Sequence, residues 1–211
     1  MTILLPSLLD IVKAPQHASP FPASALILID AQEEYRRGRL KLAGIEPAIA
    51  EATQLLDLAR HVGLPVFHIV QHGKPGSPIF DPEGSMVETL EALRPEPGEP
   101  VVVKSLPNAF AKTDLHERIA ATGRRELIIA GFMTHMCISA TARAALDLGY
   151  RSTVIANATA TRDLPDPLGG AVAAEVVQRA ALAMLADRFA IVVPDCAALA
   201  VAQPSAAKAL A

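Results

Sequence analysis

The chain has 211 residues, of which 51% are hydrophobic and 19% charged, and its formal net charge at pH 7 is -3. That length suffices for a complete core and lies near the usual size of one α/β domain. The scattered Lys and Arg residues exclude the basic surface of a nucleic-acid-binding protein, and no run approaches the roughly 18 apolar residues that a membrane helix needs, so we expect a small-molecule partner.

Residues 1–24 are predicted to form an irregular arm over a single domain of residues 25–211. The arm contains four prolines, which remove backbone donors and fix φ. Residues 1–9 are apolar but lack a basic leader and a cleavage site of small residues, so a signal peptide is not expected. Because the only two cysteines, Cys137 and Cys196, are far apart, we predict a reducing, cytoplasmic location and no disulfide.

Short apolar runs alternate with helical patterns along the rest of the chain. The strands are predicted at residues 25–30, 64–70, 101–104, 127–130, 152–156 and 189–193. The helices are predicted at residues 45–61, 86–93, 114–121, 138–148 and 170–187, with Asp114 as an N-cap and a coil or frayed helix after residue 194. This alternation predicts a three-layer α/β/α sandwich around a six-stranded, parallel, doubly wound (Rossmann-like) sheet.

Three reactive or charged side chains stand where predicted strands end: Asp30, Lys104 and Cys137. Parallel strands place their carboxyl ends at one edge of the sheet, which is where ligands bind in this architecture. A carboxylate beside a thiol can accept its proton and return it to a leaving group, and a lysine can hold the carboxylate charged. Each residue alone has an ordinary structural explanation, because strands end where solvent begins.

Cys137 lies in a turn between the fourth strand and the helix predicted from residue 138. The positive end of that helix and the charge of Lys104 predict a lowered pKa for its thiol. The alternative is a buried structural cysteine, since free cysteines are commonly buried. The two partner residues favour the nucleophile.

Four segments of the chain resemble the isochorismatase-like cysteine hydrolases: LILIDAQEEY, VVVKSLPNAF, AGFMTHMCISATARAALDLGY and ATATRDLP. The resemblance extends from about residue 25 to residue 193. It implies an Asp30, Lys104 and Cys137 triad, a covalent intermediate on the cysteine, and a cis peptide between Phe132 and Met133. It also implies that the amides of Met133 and Cys137 bind the oxyanion, and that the protein is a homo-oligomer, a dimer or a tetramer.

Further residues at the same edge are predicted to bind substrate, and they are Gln32, Tyr35, His72, Asn108, Phe110 and Thr134. For Tyr35 and Phe110, packing in the core or in an interface is an equal alternative. His72 opens a Gly- and Pro-rich loop, residues 71–82, and is either a substrate contact or a solvated histidine. For Thr134 and its neighbour His135, the shape of the backbone is the alternative to a side-chain role.

Neither a metal nor another cofactor is predicted. The Asp-x-His pair of the nicotinamidase-like members is missing after the first strand, and the spacing of His61, His68 and His72 matches no zinc site. No G-x-G-x-x-G follows the first strand, which disfavours a dinucleotide site.

The sequence therefore predicts a metal-independent cysteine hydrolase that cleaves an amide-like C–N bond of a small molecule. Two alternatives are a vinyl-ether hydrolase of the isochorismate type and a catalytically idle, oligomeric binding protein of the same fold. Retention of Cys137 with both partners favours the first prediction, because vinyl-ether cleavage chiefly needs protonation and water.

Overall fold

The computed structural model describes residues 5–203 and contains a six-stranded parallel sheet, which confirms the predicted fold class. In sheet order 3-2-1-4-5-8, its strands are β1 (Ser24–Ile29), β2 (Val66–Gln71), β3 (Val101–Lys104), β4 (Glu126–Phe132), β5 (Arg151–Ala160) and β8 (Ile191–Val193). A separate antiparallel hairpin joins β6 (Leu164–Pro165) to β7 (Ala171–Val172). The strand order reverses direction between β1 and β4, which is the position where such sheets bind ligands.

Helices cover both faces of the sheet. They are α1 (Leu8–Ile11), α2 (Ile45–His61), α3 (Leu115–Ala121), α4 (Ser139–Asp147), α5 (Ala174–Arg188) and α6 (Cys196–Val201). Alternate residues of β1 point to opposite faces, so Leu26 and Leu28 join a core with α2, whereas Ile27 and Ile29 join a core with α3, α4 and α5. These two apolar cores hold the strand ends in place. None of the helices within residues 5–203 has the length and apolarity needed to cross a membrane.

The predicted helix at residues 86–93 is wrong. The structure has two isolated 3-10 turns there, Ser85–Val87 and Glu91–Leu93. Between them, Thr89 forms a β-bridge with Gln32, and the Leu90 amide donates to the Ala31 carbonyl at 2.8 Å. These tertiary backbone bonds to the segment after β1 replace the intrahelical bonds that a continuous helix would have made.

Other boundaries differ in ways that affect the site. α5 begins at Ala174 rather than at residue 170, because the β6–β7 hairpin takes up the preceding residues. Asp114 occupies the N-cap position of α3, but its carboxylate makes no capping bond and pairs with Arg118 at 2.8 Å instead.

Both ends of the described chain are more regular than the sequence predicts. The arm contains the short helix α1, which Ser7 and Asp10 cap reciprocally. The segment after residue 194 contains α6, with Asp195 as its N-cap. The remainder of the predicted arm and tail, residues 1–4 and 204–211, lies outside the described residues.

Candidate active site

Asp30 follows β1 directly and is fully buried. Its φ of +51° is unusual for a residue with a side chain, although Asp tolerates this left-handed region better than most. The backbone amide of Asp30 donates to the Ile69 carbonyl of β2 at 2.8 Å, which fixes the turn. The sheet therefore holds the carboxylate at its carboxyl edge, in a site without solvent.

Lys104 ends β3 and connects the other two members of the predicted triad. Its Nζ lies 2.8 Å from Asp30 Oδ2 and 3.4 Å from Cys137 Sγ. The side chains of Lys104 and Asp30 are both completely shielded from solvent. Neither carboxylate oxygen of Asp30 accepts a hydrogen bond of regular geometry from a described residue. The contact between Asp30 Oδ2 and Lys104 is therefore a close ion pair, and Asp30 Oδ1 has no partner among the described residues.

Gln71, which the sequence did not single out, completes the surroundings of Lys104. Its Oε1 accepts a hydrogen bond from Lys104 Nζ at 2.7 Å, and its Nε2 donates to the His72 carbonyl at 3.3 Å. An ammonium has three N–H donors, and Asp30, Gln71 and Cys137 supply one contact each. The signal available in the sequence was a polar residue at the end of an apolar strand, beside Lys104 in the sheet register.

The backbone around Cys137 brings its thiol back over the sheet. The peptide bond between Phe132 and Met133 is cis, at the position that the resemblance implies. Residues Thr134–Ile138 then form a wide π-type turn before α4, whereas the sequence predicts only a helix from residue 138. The Met133 amide donates to no acceptor among residues 5–203, so this N–H is available to an incoming oxyanion.

Gly131 permits the close approach of β4 to β1 beneath this turn. Its φ is +115°, and a Cβ added there would lie 2.0 Å from the Ile29 carbonyl oxygen. The pairing of β4 with β5 also shifts in register between Ile129 and Gly131. A side chain at this position is thus excluded on both conformational and steric grounds.

The predicted lowering of the Cys137 pKa is wrong for the enclosed site. Burial, followed by the charge of Asp30, raises the pKa of the Cys137 thiol to about 12, against the opposing effect of Lys104. Burial likewise raises the pKa of Asp30, although Lys104 opposes that shift too. The resting cysteine is therefore a thiol, and it needs a base at the moment of attack.

Gln32 is predicted to contact substrate, but its side-chain amide forms hydrogen bonds with the protein backbone. Its Nε2 donates to the carbonyls of Gln71 and Val87 at 3.0 Å and 2.7 Å, and its Oε1 accepts from the Gln71 amide at 2.8 Å. These bonds join the ends of β1 and β2 to the 3-10 turn Ser85–Val87. They favour a structural role, in which Gln32 holds Gln71 in position.

The two aromatic candidates lie in different surroundings. Tyr35 is buried and packs edge-on against Phe80 and Phe132, with ring centroids 5.4 Å and 5.9 Å away. Burial, with the nearby charges of Asp30 and Cys137, raises the pKa of Tyr35 well above its usual range. Phe110 instead stacks on Tyr150, with centroids 5.9 Å apart, as part of the core on the α3 and α4 face. Packing, the alternative given above, accounts for Phe110.

The three polar candidates lie at the same edge of the sheet, with backbone contacts of their own. The His72 amide donates to the Lys104 carbonyl at 2.9 Å, and Asn108 Oδ1 accepts from the Phe110 amide at 2.9 Å. Thr134 is buried and donates to the Ala160 carbonyl at 3.1 Å. Their contact with a substrate stays a prediction.

The site is nearly closed in this conformation, since Cys137 exposes only 4% of its surface and Lys104 only 2%. A substrate therefore reaches the thiol only when covering side chains move. Across the described part of the chain, no group of three or more His, Cys, Asp or Glu side chains is placed to hold a metal ion. His68 lies in β2 and is one of the three histidines considered for zinc; its Nε2 is 2.8 Å from Oε2 of Glu99, which lies just before β3.

Comparisons with known proteins agree with this geometry. The model of the isochorismatase domain matches residues 24–195. A crystal structure of an isochorismatase from Pseudomonas putida superposes with a TM-score of 0.87 at 39% sequence identity, covering 90% of this chain and 97% of that one. A secreted isochorismatase effector from Verticillium dahliae is 36% identical over 170 residues, which are 81% of this chain and 87% of the relative.

Two further relatives are named for other hydrolytic reactions. A streptothricin hydrolase from Streptomyces noursei is 34% identical over 188 residues, or 88% of this chain and 74% of the relative. A ureidoacrylate amidohydrolase from Stutzerimonas stutzeri is 29% identical over 171 residues, or 64% of this chain and 69% of the relative.

Proposed function

The chain belongs to the isochorismatase family of hydrolases, and from this premise we propose that it cleaves an amide-like C–N bond of a small molecule through a covalent intermediate on Cys137. The contacts of Lys104 Nζ with both Asp30 Oδ2 and Cys137 Sγ carry this proposal. They place a carboxyl group, an ammonium and a thiol within reach of one another in a site shielded from bulk solvent. The names of the amidohydrolase and streptothricin hydrolase relatives support hydrolysis of small molecules.

The first step transfers a proton and forms a bond to sulfur. As Cys137 Sγ attacks the substrate carbonyl carbon, its proton passes to Asp30, whose raised pKa makes the carboxylate a stronger base. The carbonyl π electrons move onto oxygen, and the amides of Met133 and Cys137 stabilise that oxyanion. The tetrahedral intermediate then collapses, the C–N bond breaks, and Asp30 returns the proton to the leaving nitrogen.

The second step hydrolyses the resulting thioester. Asp30, again a carboxylate, removes a proton from a water molecule while the water oxygen attacks the thioester carbon. The C–S bond breaks, and the proton returns to sulfur, which regenerates the thiol. Asp30 alternates between base and acid, while Lys104 stays an ammonium and balances the charge.

Gln71 acts in this proposal as a positioning residue. Its Oε1 is a neutral acceptor for Lys104, so it satisfies the ammonium without adding a charge near Asp30. Gln32 holds the Gln71 backbone through both its amide and its carbonyl. The direction of the Lys104 side chain is thereby set from β2 as well as from β3.

The proposed reaction uses no metal ion. The oxyanion amides can polarise the carbonyl, and His72, Asn108, Tyr35 and Thr134 are the proposed groups that orient the rest of the substrate. Nicotinamide is a poor candidate, because no Asp-x-His pair follows the first strand, where the nicotinamidase-like members carry the pair that binds their metal. We further propose a cytoplasmic location, where the thiol stays reduced, and assembly as a homo-oligomer.

An activity screen over small amides, ureas and carbamoyl compounds tests the proposal. Once a substrate is found, Cys137→Ala should abolish turnover, whereas Cys196→Ala should retain it. Mass spectrometry of the enzyme quenched during turnover should find the acyl group on Cys137. Full activity of Cys137→Ala, or loss of wild-type activity in EDTA that zinc restores, would refute the mechanism.

A vinyl-ether hydrolase is the second candidate, because two similar proteins are described as isochorismatases. That reaction protonates a vinyl ether and adds water, so it does not require a thiol nucleophile. Turnover of isochorismate by both the wild type and Cys137→Ala would favour this candidate over C–N cleavage.

A further inference from the structure

A cavity lies at the amino edge of the sheet, away from the triad. Its volume is about 240 Å³, and the arm, the end of α4, the start of β5 and the end of α5 surround it. Its apolar lining includes Leu9, Pro15, Leu146, Tyr150, Phe189 and Ile191. Tyr150 and Phe189 supply aromatic surface, which suits a flat ring.

Two polar side chains in the lining lack a partner among the described residues: one is a buried hydroxyl without a hydrogen bond, and the other is a guanidinium without an ion pair. Ser152 exposes only 1% of its surface, and its Oγ has no hydrogen-bond partner among the described residues. Arg188 lines the same cavity and forms no ion pair within residues 5–203. Arg151, also in the lining, is by contrast paired with Glu126 at 2.5 Å. A buried hydroxyl without a partner is costly unless a ligand or water satisfies it.

We propose that this cavity binds a small monocyclic aromatic carboxylate. The ring would occupy the apolar part, and the carboxylate would accept hydrogen bonds from the Ser152 hydroxyl and from the Arg188 guanidinium. The volume limits the ligand to one ring, because a cavity of about 150 Å³ holds a benzene molecule and the remaining space suits a carboxylate. An amine is disfavoured, since it would meet the charge of Arg188.

The cavity is distinct from the candidate active site. Ser152 pairs with Leu127 near the start of β4, whereas the cysteine turn follows Phe132 at the other end of that strand. Five residues of strand separate the two levels by about 17 Å at ~3.3 Å per residue. A ligand in this cavity therefore has no contact with Cys137.

The arm forms one wall, so the ligand would join the arm to the domain. Leu9 and Pro15 belong to the arm, and the Leu8 amide donates to Asp187 Oδ1 of α5 at 2.9 Å. Because the ligand contacts both the arm and the body, binding should stabilise the folded state and raise the thermal midpoint.

Benzoate is the probe for this site. Isothermal titration with the full chain should give one site per chain with a Kd of about 1 mM, as expected for a ligand of this size. Benzyl alcohol, which keeps the ring but lacks the charge, should bind more weakly. Thermal unfolding in 10-fold excess over that Kd should show a higher midpoint.

Two variants and a matched control locate the bound molecule. Arg188→Gln and Ser152→Ala should each weaken benzoate binding at least about tenfold, in line with the loss of a hydrogen bond to a charged group. Arg179→Gln, an exposed change on the same helix, should leave the affinity unchanged. Protein alkylated at Cys137 by iodoacetamide should bind benzoate normally.

The outcomes separate this proposal from others. Absence of benzoate binding at 10 mM, unchanged affinity in both Arg188→Gln and Ser152→Ala, or loss of binding after alkylation of Cys137 would each overturn it. The measurement needs no turnover, so its result does not depend on the proposed hydrolase activity.

Discussion

At the scale of single residues, the triad is a set of buried groups in which the charge of Asp30 balances the charge of Lys104. The Lys104 side chain has no solvent contact, and an ammonium buried without a counter-charge would be strongly unfavourable. Asp30 supplies the opposite charge, and Gln71 and Cys137 take the remaining donors. With the Cys137 pKa raised to about 12, the chemistry depends on proton removal by Asp30 rather than on a preformed thiolate.

Asp30→Asn should lower kcat/KM at least ~100-fold, because it removes the proton shuttle while keeping the size of the side chain. The wild-type profile of kcat/KM against pH should fall on its acid side above pH 3.8, the ordinary Asp pKa, since burial raises the pKa of Asp30. Steady-state kinetics from pH 4 to pH 9 checks both points. Asp57→Asn, an exposed change on α2, is the control, and a loss smaller than ~100-fold in Asp30→Asn would assign Asp30 a structural role.

Gln71→Leu should lower kcat/KM roughly tenfold or more, because a hydrogen bond to a charged group contributes about 1.5 to 3 kcal/mol. The buried ammonium then lacks one acceptor and is held less firmly beside Asp30 and Cys137, so the loss should fall on kcat rather than on KM. Gln54→Leu on the exposed side of α2 is the matched control. A loss no larger than that of the control, or one confined to KM, would contradict the positioning role of Gln71.

At the scale of elements, a polar cluster joins α2, β2 and the segment before β3. Arg60 donates twice to Glu99, at 2.8 Å each, and His68 Nε2 lies 2.8 Å from the same carboxylate. Burial alone would raise the pKa of Glu99, but bonds from Arg60, the Glu96 amide and His68 lower it from 4.5 to about 2. Burial lowers the pKa of His68, so His68 is neutral at neutral pH.

Glu99→Gln should therefore destabilise the protein by about 3 kcal/mol at pH 7. The folded-state pKa of Glu99 lies below its unfolded value, so the stabilisation is complete above pH 4.5 and is lost as the pH falls to about 2. Urea unfolding at pH 7 and at pH 3 should show a smaller difference between variant and wild type at the lower pH. An equal difference at both values would contradict the role of the Glu99 charge.

Gly131→Ala should destabilise the fold by at least ~4 kcal/mol, because it combines a left-handed φ with a backbone clash at 2.0 Å. Gly149→Ala is the matched control: its φ of +83° is also unfavourable for Ala, but nothing lies within 4 Å of the added Cβ. That change should cost about 1 to 2 kcal/mol. Denaturant unfolding of both variants measures the contribution of the close approach, and equal losses would argue against it.

At the scale of the whole molecule, the surface offers apolar side chains for assembly. Val176 and Met184 of α5 are 56% and 53% exposed, and Leu168 at the β6–β7 hairpin is 95% exposed. Large apolar residues in this state are consistent with the proposed homo-oligomer. Light scattering at micromolar concentration should give a mass of at least twice 22.2 kDa, and a value near that of one chain would refute the proposal.

The central elements could be predicted because their signals are local. The helix Ile45–His61 and the strand Val101–Lys104 have the predicted bounds, since a periodic apolar stripe and a short apolar run with a charged end need no tertiary information. The order of apolar runs and helical patterns likewise determined the parallel sheet. Because such a sheet collects its carboxyl ends at one edge, Asp30, Lys104 and Cys137 could be grouped before any distance was known.

Only the tertiary structure decided the features that depend on contacts between distant segments. The helix expected at residues 86–93 became two turns because its backbone bonds to the segment after β1, and Gln71 joined the site because β2 lies beside β3. The pKa of Cys137 rises because burial and Asp30 outweigh Lys104, and no local pattern reports the depth of a side chain. Sequence periodicity determines which face of an element is apolar, whereas desolvation and hydrogen-bond partners depend on what the folded chain places around each group.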